Sequence, residues 1–373
     1  MKALNPFPLT DYLSPEYFCD RESELQQIID SIDNQRNITL ISRRRLGKTA
    51  LIRHCFYNLG KRKDLSLHYF DIYSTRNLQD FINMLSTALV GYFESKPEKI
   101  LSQLVKLFGQ FRPKLTFDEL SGIPSVELSL QTDAERQQSL SVIFDYLSGQ
   151  KQRVVIAIDE FQQITNYPEK NTEALLRTHI QNNNNVTLLY SGSNRRMLMS
   201  LFSEYGRPLY QSSGFLFLDK IDPEKYKPFI AGHFNRQGRK ISEEALMFLL
   251  NWAQAHTYFV QEICNRLYSS GFKAIGIPEA KLVIFRILEE RAPLYQVYEN
   301  MLTASQYKLL KAIAKETEIV KPNASGFLAK YGLGAASSVS RSLEALVTRD
   351  IIIFENQAYS FADVFLMRWL QRQ

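Results

Sequence analysis

The sequence predicts an α/β domain with a parallel central sheet, followed by a helical domain and a C-terminal domain of three helices and a β-hairpin. Three observations lead to this prediction. Short apolar runs alternate with helical periodicity over residues 21–219. The unbroken apolar run Arg153–Asp159 is typical of a strand buried on both faces. After about Lys220 only helical patterns continue until a terminal hairpin.

The first domain contains at least five predicted strands and six predicted helices. The predicted strands are Ile38–Ile41, Leu65–Tyr73, Arg153–Asp159, Val186–Gly192 and Phe215–Leu218. The predicted helices are Arg21–Gln35, Lys48–Leu59, Asn77–Ser95, Pro97–Phe111, Thr132–Gly149 and Thr172–Asn182. Lys114–Leu130 alternates apolar and polar residues around Ser121-Gly122, which predicts an inserted hairpin.

The remainder of the chain divides into two smaller domains. Four helices are predicted at Pro223–Arg236, Glu243–Gln254, Tyr258–Ser269 and Glu279–Leu294. Three more are predicted at Ala304–Glu316, Ala324–Tyr331 and Ala336–Arg349, ahead of the hairpin Ile351–Phe361. Three helices and a hairpin are the element order of a winged helix. The predicted domains are an N-terminal tether (1–20), the α/β domain (21–219), a helical lid (220–298) and the winged helix (299–373).

Composition is that of a globular protein. The chain has 373 residues, of which 45% are hydrophobic and 23% charged. No apolar run approaches the roughly 18 residues that a membrane span needs, and the N-terminus lacks the apolar stretch of a signal peptide. Cys19, Cys55 and Cys264 are odd in number and far apart, which argues against disulfides or zinc and favours the cytoplasm. A net charge of +6 permits nucleic-acid contact, but a solvated basic surface explains it equally well.

The segment "LISRRRLGKTALI" (Leu40–Ile52) has the strand-loop-helix context of a phosphate-binding loop. In such a loop, backbone N–H groups and the positive helix N-terminus surround the phosphates. Lys48 then reaches the β- and γ-phosphates, and the Thr49 hydroxyl binds Mg²⁺. The predicted nucleotide-contacting residues are Ser42, Arg43, Arg44, Arg45, Leu46, Gly47, Lys48, Thr49 and Ala50.

Ser42 is the unusual residue of this loop, because the common pattern has glycine there. If the position needs a left-handed or crowded backbone, a serine there costs roughly 1–2 kcal/mol. Arg43, Arg44 and Arg45 are either a solvated basic rim or a contact to a neighbouring subunit or domain.

A second motif supports the first, since Gly-Lys-Thr alone is a weak signal. Asp159 and Glu160 follow the apolar strand, as in a Walker B motif. Asp159 is then placed to hold Mg²⁺ and Glu160 to polarise an attacking water. The alternative is that Asp159 merely caps the next helix. Both motifs in one α/β domain make that alternative a poor explanation.

With these residues the chain resembles the prokaryotic "archaeal ATPase" family, within the STAND-type branch of the AAA+ P-loop ATPases, over nearly its full length. The segments that carry the resemblance are "NPF" (Asn5–Phe7), "FCDRESEL" (Phe18–Leu25), "SRRRLGKTALI", "YSGSN" (Tyr190–Asn194), "AHTYFVQEICNRL" (Ala255–Leu267) and "YSFADVFLMRWL" (Tyr359–Leu370). Some branches of the family also have serine at the position of Ser42.

The resemblance implies further site residues. Ser191 or Ser193 is expected to sense the γ-phosphate, and His256 to contact the nucleotide from the lid. The sequence departs from the family pattern at three places. Ala255 and Thr257 replace the glycine and proline that flank the lid histidine. Gln211-Ser212 replaces Gly-Arg, which leaves Arg207 as the arginine nearest to the position of a trans-acting one.

These observations predict an ATP/ADP- and Mg²⁺-binding switch that hydrolyses ATP slowly, with Glu160 and Lys48 as catalytic residues. Its expected partner is an unknown protein, and no membrane is expected. Two alternatives stay open: an ATP-regulated protein that binds duplex DNA through the winged helix, and an interaction scaffold with little or no hydrolysis.

Overall fold

The computed structural model describes residues 5–10, 12–90, 105–117 and 124–373. The described chain forms two compact units. The first is Tyr12–Asp219, and the second is Lys220–Gln373 together with the described residues of the N-terminal segment. No described helix is long and apolar enough to cross a membrane.

A five-stranded parallel sheet is the centre of the first unit. Its strands are β1 (Ile38–Ser42), β2 (Leu65–Asp71), β5 (Arg153–Asp159), β6 (Val186–Gly192) and β7 (Gly214–Leu218). They lie in the order β2-β5-β6-β1-β7, and every neighbouring pair is parallel. This confirms the predicted fold class.

The helices of the first unit alternate with these strands. They are α1 (Glu22–Asp33), α2 (Lys48–Leu59), α3 (Leu78–Val90), α4 (Asp133–Ser148), α5 (Thr172–Gln181) and α6 (Arg195–Ser203). The inserted hairpin consists of β3 (Lys114–Phe117) and β4 (Pro124–Glu127), which pair antiparallel. The end of the predicted helix Asn77–Ser95, most of Pro97–Phe111 and the Ser121-Gly122 turn lie outside the described residues.

Burial explains why β1, β5 and β6 read as apolar runs. Every residue of β1 and β6 is buried, and so is all of β5 except Arg153. One apolar cluster packs on each face of the sheet, with Ile41, Ile156 and Leu188 in one and Leu40, Val155 and Leu189 in the other. Because parallel strands end at the same edge, the loops after β1, β5 and β6 lie side by side.

The second unit begins with a helical part. Its helices are α7 (Pro223–Asn235), α8 (Glu243–Trp252), α9 (Thr257–Ser270) and α10 (Ile277–Met301). Two short strands, β8 (Lys240–Ile241) and β9 (Ala274–Ile275), pair in parallel, so the expectation of a purely helical lid needs this amendment. Helix α10 continues through Pro293 and across the predicted boundary at residues 298/299.

The C-terminal part is a winged helix. It consists of α11 (Ala304–Glu316), β10 (Glu318–Ile319), α12 (Ser325–Tyr331), α13 (Ala336–Thr348), β11 (Ile352–Glu355), β12 (Ala358–Phe361) and α14 (Val364–Gln371). Strands β10, β12 and β11 form an antiparallel sheet.

Helix α14 packs on the lid helices. Phe365 lies 4.8 Å from the Phe259 ring and 5.6 Å from the Trp252 ring. Arg291 of α10 stacks 5.0 Å from the Phe365 ring and donates a hydrogen bond of 2.5 Å to Glu262. The lid and the winged helix therefore share one apolar core.

The N-terminal segment also belongs to the second unit. Phe7 is 1% exposed, and its ring lies 5.5 Å from Phe234 and 6.1 Å from Tyr268. Asn5 donates to the Asn265 carbonyl oxygen at 3.0 Å, and Asn265 donates to the Phe7 carbonyl oxygen at 2.8 Å.

Candidate nucleotide-binding site

The loop between β1 and α2 adopts a left-handed backbone at two positions. These are Arg45 (φ 64°) and Gly47 (φ 94°). Ser42 is not one of the positive-φ residues. It is the last residue of β1, paired in register with Leu218 of β7. Of the two conditions considered for Ser42, a left-handed backbone is therefore excluded, since the strand itself extends through this residue.

The side chains of this loop alternate between exposure and burial. Arg44 and Arg45 are exposed, whereas Leu46 is 2% exposed and packs in the core under α2. Ser42 is 4% exposed and its hydroxyl donates to the Arg43 carbonyl oxygen at 3.0 Å. The buried Leu46 side chain thus holds the turn against the core, whereas the Arg44 and Arg45 side chains are exposed.

Lys48 joins the two predicted motifs. It is the first residue of α2, is 7% exposed, and contacts both acidic residues that follow β5. Its Nζ lies 2.8 Å from Glu160 Oε1 and 3.0 Å from Asp159 Oδ1. The fold therefore brings the Gly-Lys-Thr loop and the Asp-Glu strand end together.

Asp159 accepts hydrogen bonds from three neighbouring elements. Thr49 Oγ1 of α2 donates to Oδ2 at 2.7 Å, and the Tyr69 hydroxyl of β2 donates to the same oxygen at 3.2 Å. Ser191 Oγ of β6 donates to Oδ1 at 2.7 Å. Ser191 is fully buried, so its hydroxyl contacts Asp159 rather than solvent. Tyr69 was not predicted as a site residue, because its contact depends on β2 lying next to β5.

Glu160 turns away from the strand because its backbone is left-handed, with φ 54°. Its Oε2 accepts hydrogen bonds from Gln162 Nε2 at 2.5 Å and from Ser193 Oγ at 2.9 Å. The backbone N–H of Ser193 donates to the same oxygen at 3.2 Å. Gln162 was not predicted as a site residue, because an i+2 contact in a turn leaves no periodic signal in the sequence.

The electrostatics of the two carboxyl groups follow from these contacts. Burial raises the pKa of Asp159, but the Lys48 ammonium and the Ser191 and Thr49 hydroxyls outweigh it and hold that pKa below its ordinary value. Burial also raises the pKa of Glu160. The Lys48 ammonium and the hydrogen bonds from Gln162 and Ser193 outweigh burial and hold that pKa below its ordinary value. Both groups are therefore carboxylates at neutral pH.

The donor atoms fit a magnesium ion that also takes phosphate and water ligands. Thr49 Oγ1 and Asp159 Oδ2 are oxygen donors 2.7 Å apart, and Mg²⁺ prefers oxygen ligands with several waters retained. In the described parts of the chain, no cluster of three or more His, Cys, Asp or Glu side chains could hold a metal by itself.

Two other predicted residues each have contacts within their own unit. His256 belongs to the second unit, where it precedes α9, is 6% exposed and packs 4.7 Å from the Phe259 ring. Arg207 is held within its own unit. Its guanidinium forms a two-pronged contact with the Glu173 carboxylate and donates to Ser200 Oγ at 2.9 Å.

The parallel sheet, the loop after β1 and the acidic end of β5 define a P-loop NTPase fold. A family described as "ATPase domain predominantly from Archaea" matches residues 18–238, and a "Probable winged helix domain" matches residues 293–372. The chain belongs to this archaeal-type ATPase family, which confirms the family, though not its STAND-type branch, that the motifs indicated. None of the curated proteins matches the sequence significantly.

Solved structures show the same fold. The Walker-type ATPase PABY2304 of Pyrococcus abyssi is 19% identical with a TM-score of 0.67, over 98% of this chain and 99% of that chain. The ORC2 protein of Aeropyrum pernix, solved in ADPNP-ADP complexes, is 13% identical with a TM-score of 0.61, over 100% of this chain and 97% of that chain. The ADP form of ORC2 gives 14% identity and a TM-score of 0.54, over 98% and 97% of the two chains. At these identities the likeness concerns the fold.

Proposed function

We propose that the protein is a nucleotide-dependent molecular switch of the STAND type that binds Mg-ATP and hydrolyses it slowly. The observation that carries this proposal is the convergence of Lys48, Thr49, Asp159 and Glu160, which come from two motifs far apart in sequence.

Each residue has a distinct proposed role. The Lys48 ammonium, now paired with two carboxylates, turns to the β- and γ-phosphates when nucleotide binds. Thr49 and Asp159 hold Mg²⁺, which neutralises charge on the phosphate oxygens. Glu160, an ionised carboxylate, accepts a hydrogen bond from the attacking water and orients it. Tyr69 and Ser191 keep the Asp159 carboxylate in place through their hydrogen bonds.

Slow turnover is supported by the arginine content of the segment before β7. An arginine supplied to the transferring phosphate is worth about 10³–10⁵ in rate. Arg207, the arginine of the segment Arg207–Ser212, is paired with Glu173. While this ion pair persists, Arg207 does not supply charge to the phosphate, which supports slow turnover.

The winged helix supports a protein partner more than a DNA partner. On α13, Ser337, Ser340 and Arg341 are exposed, which is a mostly neutral surface. Lys330 of α12 is paired with Glu316 at 2.5 Å. The wing tip carries Asn356 and Gln357 and no basic residue. Duplex DNA remains the second candidate ligand, on the ground that the domain has the winged-helix fold.

The first prediction separates nucleotide binding from turnover. Glu160→Gln is expected to bind Mg-ATP with an affinity near that of the wild type but to lose turnover by about 10²-fold or more, because a neutral amide polarises water poorly. Lys48→Ala is expected to lose measurable binding, because the cation facing the phosphates is gone. Calorimetric titration and a phosphate-release assay measure the two effects, with Glu127→Gln, at an exposed position of β4, as the control. Unchanged turnover in Glu160→Gln, or unchanged affinity in Lys48→Ala, contradicts the proposal.

A further inference from the structure

A short 3-10 helix, Phe161–Asn166, directly follows the acidic end of β5. Its first residue is fixed in the core. Phe161 is fully buried, with its ring 4.4 Å from Tyr190 and 5.9 Å from Phe202. Thr165 Oγ1 closes the turn by donating to the Gln162 carbonyl oxygen at 2.8 Å. The backbone of Gln162 is therefore held in a set position next to Glu160.

The Gln162 carboxamide has a definite orientation. Nε2 donates to Glu160 Oε2 at 2.5 Å. Oε1 is buried and accepts no hydrogen bond from the described parts of the chain. The reversed amide would place Oε1 against a carboxylate oxygen, so repulsion selects the orientation in which nitrogen faces Glu160. One hydrogen bond, to Glu160, thus orients this carboxamide.

Gly192 makes room for that carboxamide. A Cβ at this position would lie 1.9 Å from Gln162 Oε1 and 2.7 Å from Leu198 Cδ1, closer than atoms can approach. Gly192 does not have positive φ, so backbone conformation does not demand a glycine here. The need is for space: the end of β6 lacks a side chain where the Gln162 amide lies.

We infer that Gln162 is a positioning residue for Glu160, and that Gly192 is glycine to accommodate it. This inference rests on the proposed function, since it concerns the carboxylate proposed to orient water.

The two carboxylate oxygens of Glu160 have different partners, so each oxygen can have a separate role. Oε2 is held by Gln162 Nε2 and by the Ser193 hydroxyl and N–H. Oε1 faces Lys48 Nζ at 2.8 Å. When Lys48 turns to phosphate, Oε1 becomes the oxygen available to water while Oε2 stays fixed. Without the Gln162 donor only Ser193 holds Oε2, so the carboxylate rotates more freely and the fraction of productive orientations falls.

The test compares Gln162→Met, Gly192→Ala and their double variant in the full-length chain. Methionine keeps the length of glutamine but cannot donate, and a methyl group at residue 192 displaces the carboxamide. Gly214→Ala at the start of β7 is the matched control, because its Cβ would meet only the Asn37 carbonyl oxygen at 3.9 Å. We expect each single variant to lower kcat about tenfold with KM unchanged. The kcat of the double variant should also fall only about tenfold, because both changes remove the same hydrogen bond between Gln162 and Glu160.

Three results overturn the inference: an unchanged kcat in Gln162→Met, a loss that appears in KM instead, or multiplied losses in the double variant. Gln162→Met decides the matter alone if melting shows that Gly192→Ala is unfolded. Glu160→Gln, measured alongside, separates the two proposals. If wild type and Glu160→Gln have equal rates, the proposed function has failed. If Glu160→Gln is impaired and Gln162→Met is not, only the positioning role has failed.

Discussion

Single residues of the candidate site differ in how far sequence could predict them. The Gly-Lys-Thr and Asp-Glu motifs pointed to Lys48 and Asp159, because the residue types are those that phosphate and Mg²⁺ would require. The contacts of Tyr69 and Gln162 depend on strand order and on the left-handed turn at Glu160, neither of which has a local signature. The same holds for the strain in the loop, which lies at Arg45 and not at Ser42.

Arg45→Gly and Ser42→Gly are predicted to change stability in opposite directions. A left-handed backbone costs a non-glycine residue roughly 1–2 kcal/mol, so glycine at residue 45 should stabilise the first unit by about 0.5–1 kcal/mol after its own flexibility is subtracted. Ser42 lies in a paired strand, where glycine should destabilise by about 0.5–1 kcal/mol. Urea unfolding followed by far-ultraviolet circular dichroism measures both. Arg45→Ala, which removes the side chain but keeps the strain, is the control, and equal stability of Arg45→Ala and Arg45→Gly would contradict the argument.

At the scale of elements, the central strands were predictable because burial on both faces leaves a continuous apolar run. The predicted limits of β5 and β6 match those in the structure. Helix α10 was predicted to end near Leu294, yet it continues through Pro293 to Met301, although proline usually interrupts a helix. The paired strands β8 and β9 have two residues each, too few to show any period.

The contact between α9 and α10 is predicted to be a main source of stability for the second unit. Arg291→Met leaves the Glu262 carboxylate, 5% exposed, without its cation, which should cost about 3–5 kcal/mol. Arg266→Met breaks an exposed pair with Glu290 and should cost less than about 1 kcal/mol. Trp252 and Trp369, the two tryptophans of the chain, both lie in the second unit, so tryptophan fluorescence during urea unfolding reports on it. Equal losses in the free energy of unfolding for the two substitutions would show that the buried pair stabilises the unit no more than the exposed pair does.

At the scale of the whole molecule, charge bears on the choice between DNA and protein as the partner. Residues 299–373 contain nine Lys and Arg and seven Asp and Glu, a net charge of +2. Affinity for duplex DNA rises with the number of phosphates that lysine and arginine neutralise. The family and the fold do not decide between DNA and protein as the partner, because domains with the same winged-helix fold bind different ligands.

The full-length protein is therefore predicted to bind random duplex DNA weakly, with a Kd above about 1 μM at near-physiological salt. Fluorescence anisotropy of a labelled duplex measures this, with and without Mg-ATP. Arg341→Ala tests the exposed face of α13, and Arg286→Ala, at an exposed position of α10, serves as its control. Sub-micromolar binding that is lost in Arg341→Ala and kept in Arg286→Ala would favour the DNA-binding alternative.

The insertion of Phe7 among Phe234 and Tyr268 also determines how the chain can be divided. A fragment that starts at Lys220 contains every helix of the second unit but lacks the ring that fills this part of its core. The second unit is thus discontinuous in sequence, and its two parts are separated by the whole first unit. During synthesis more than 200 residues separate Phe7 from Phe234 and Tyr268. The part of the core that Phe7 fills can therefore close only after both of these partners have been made.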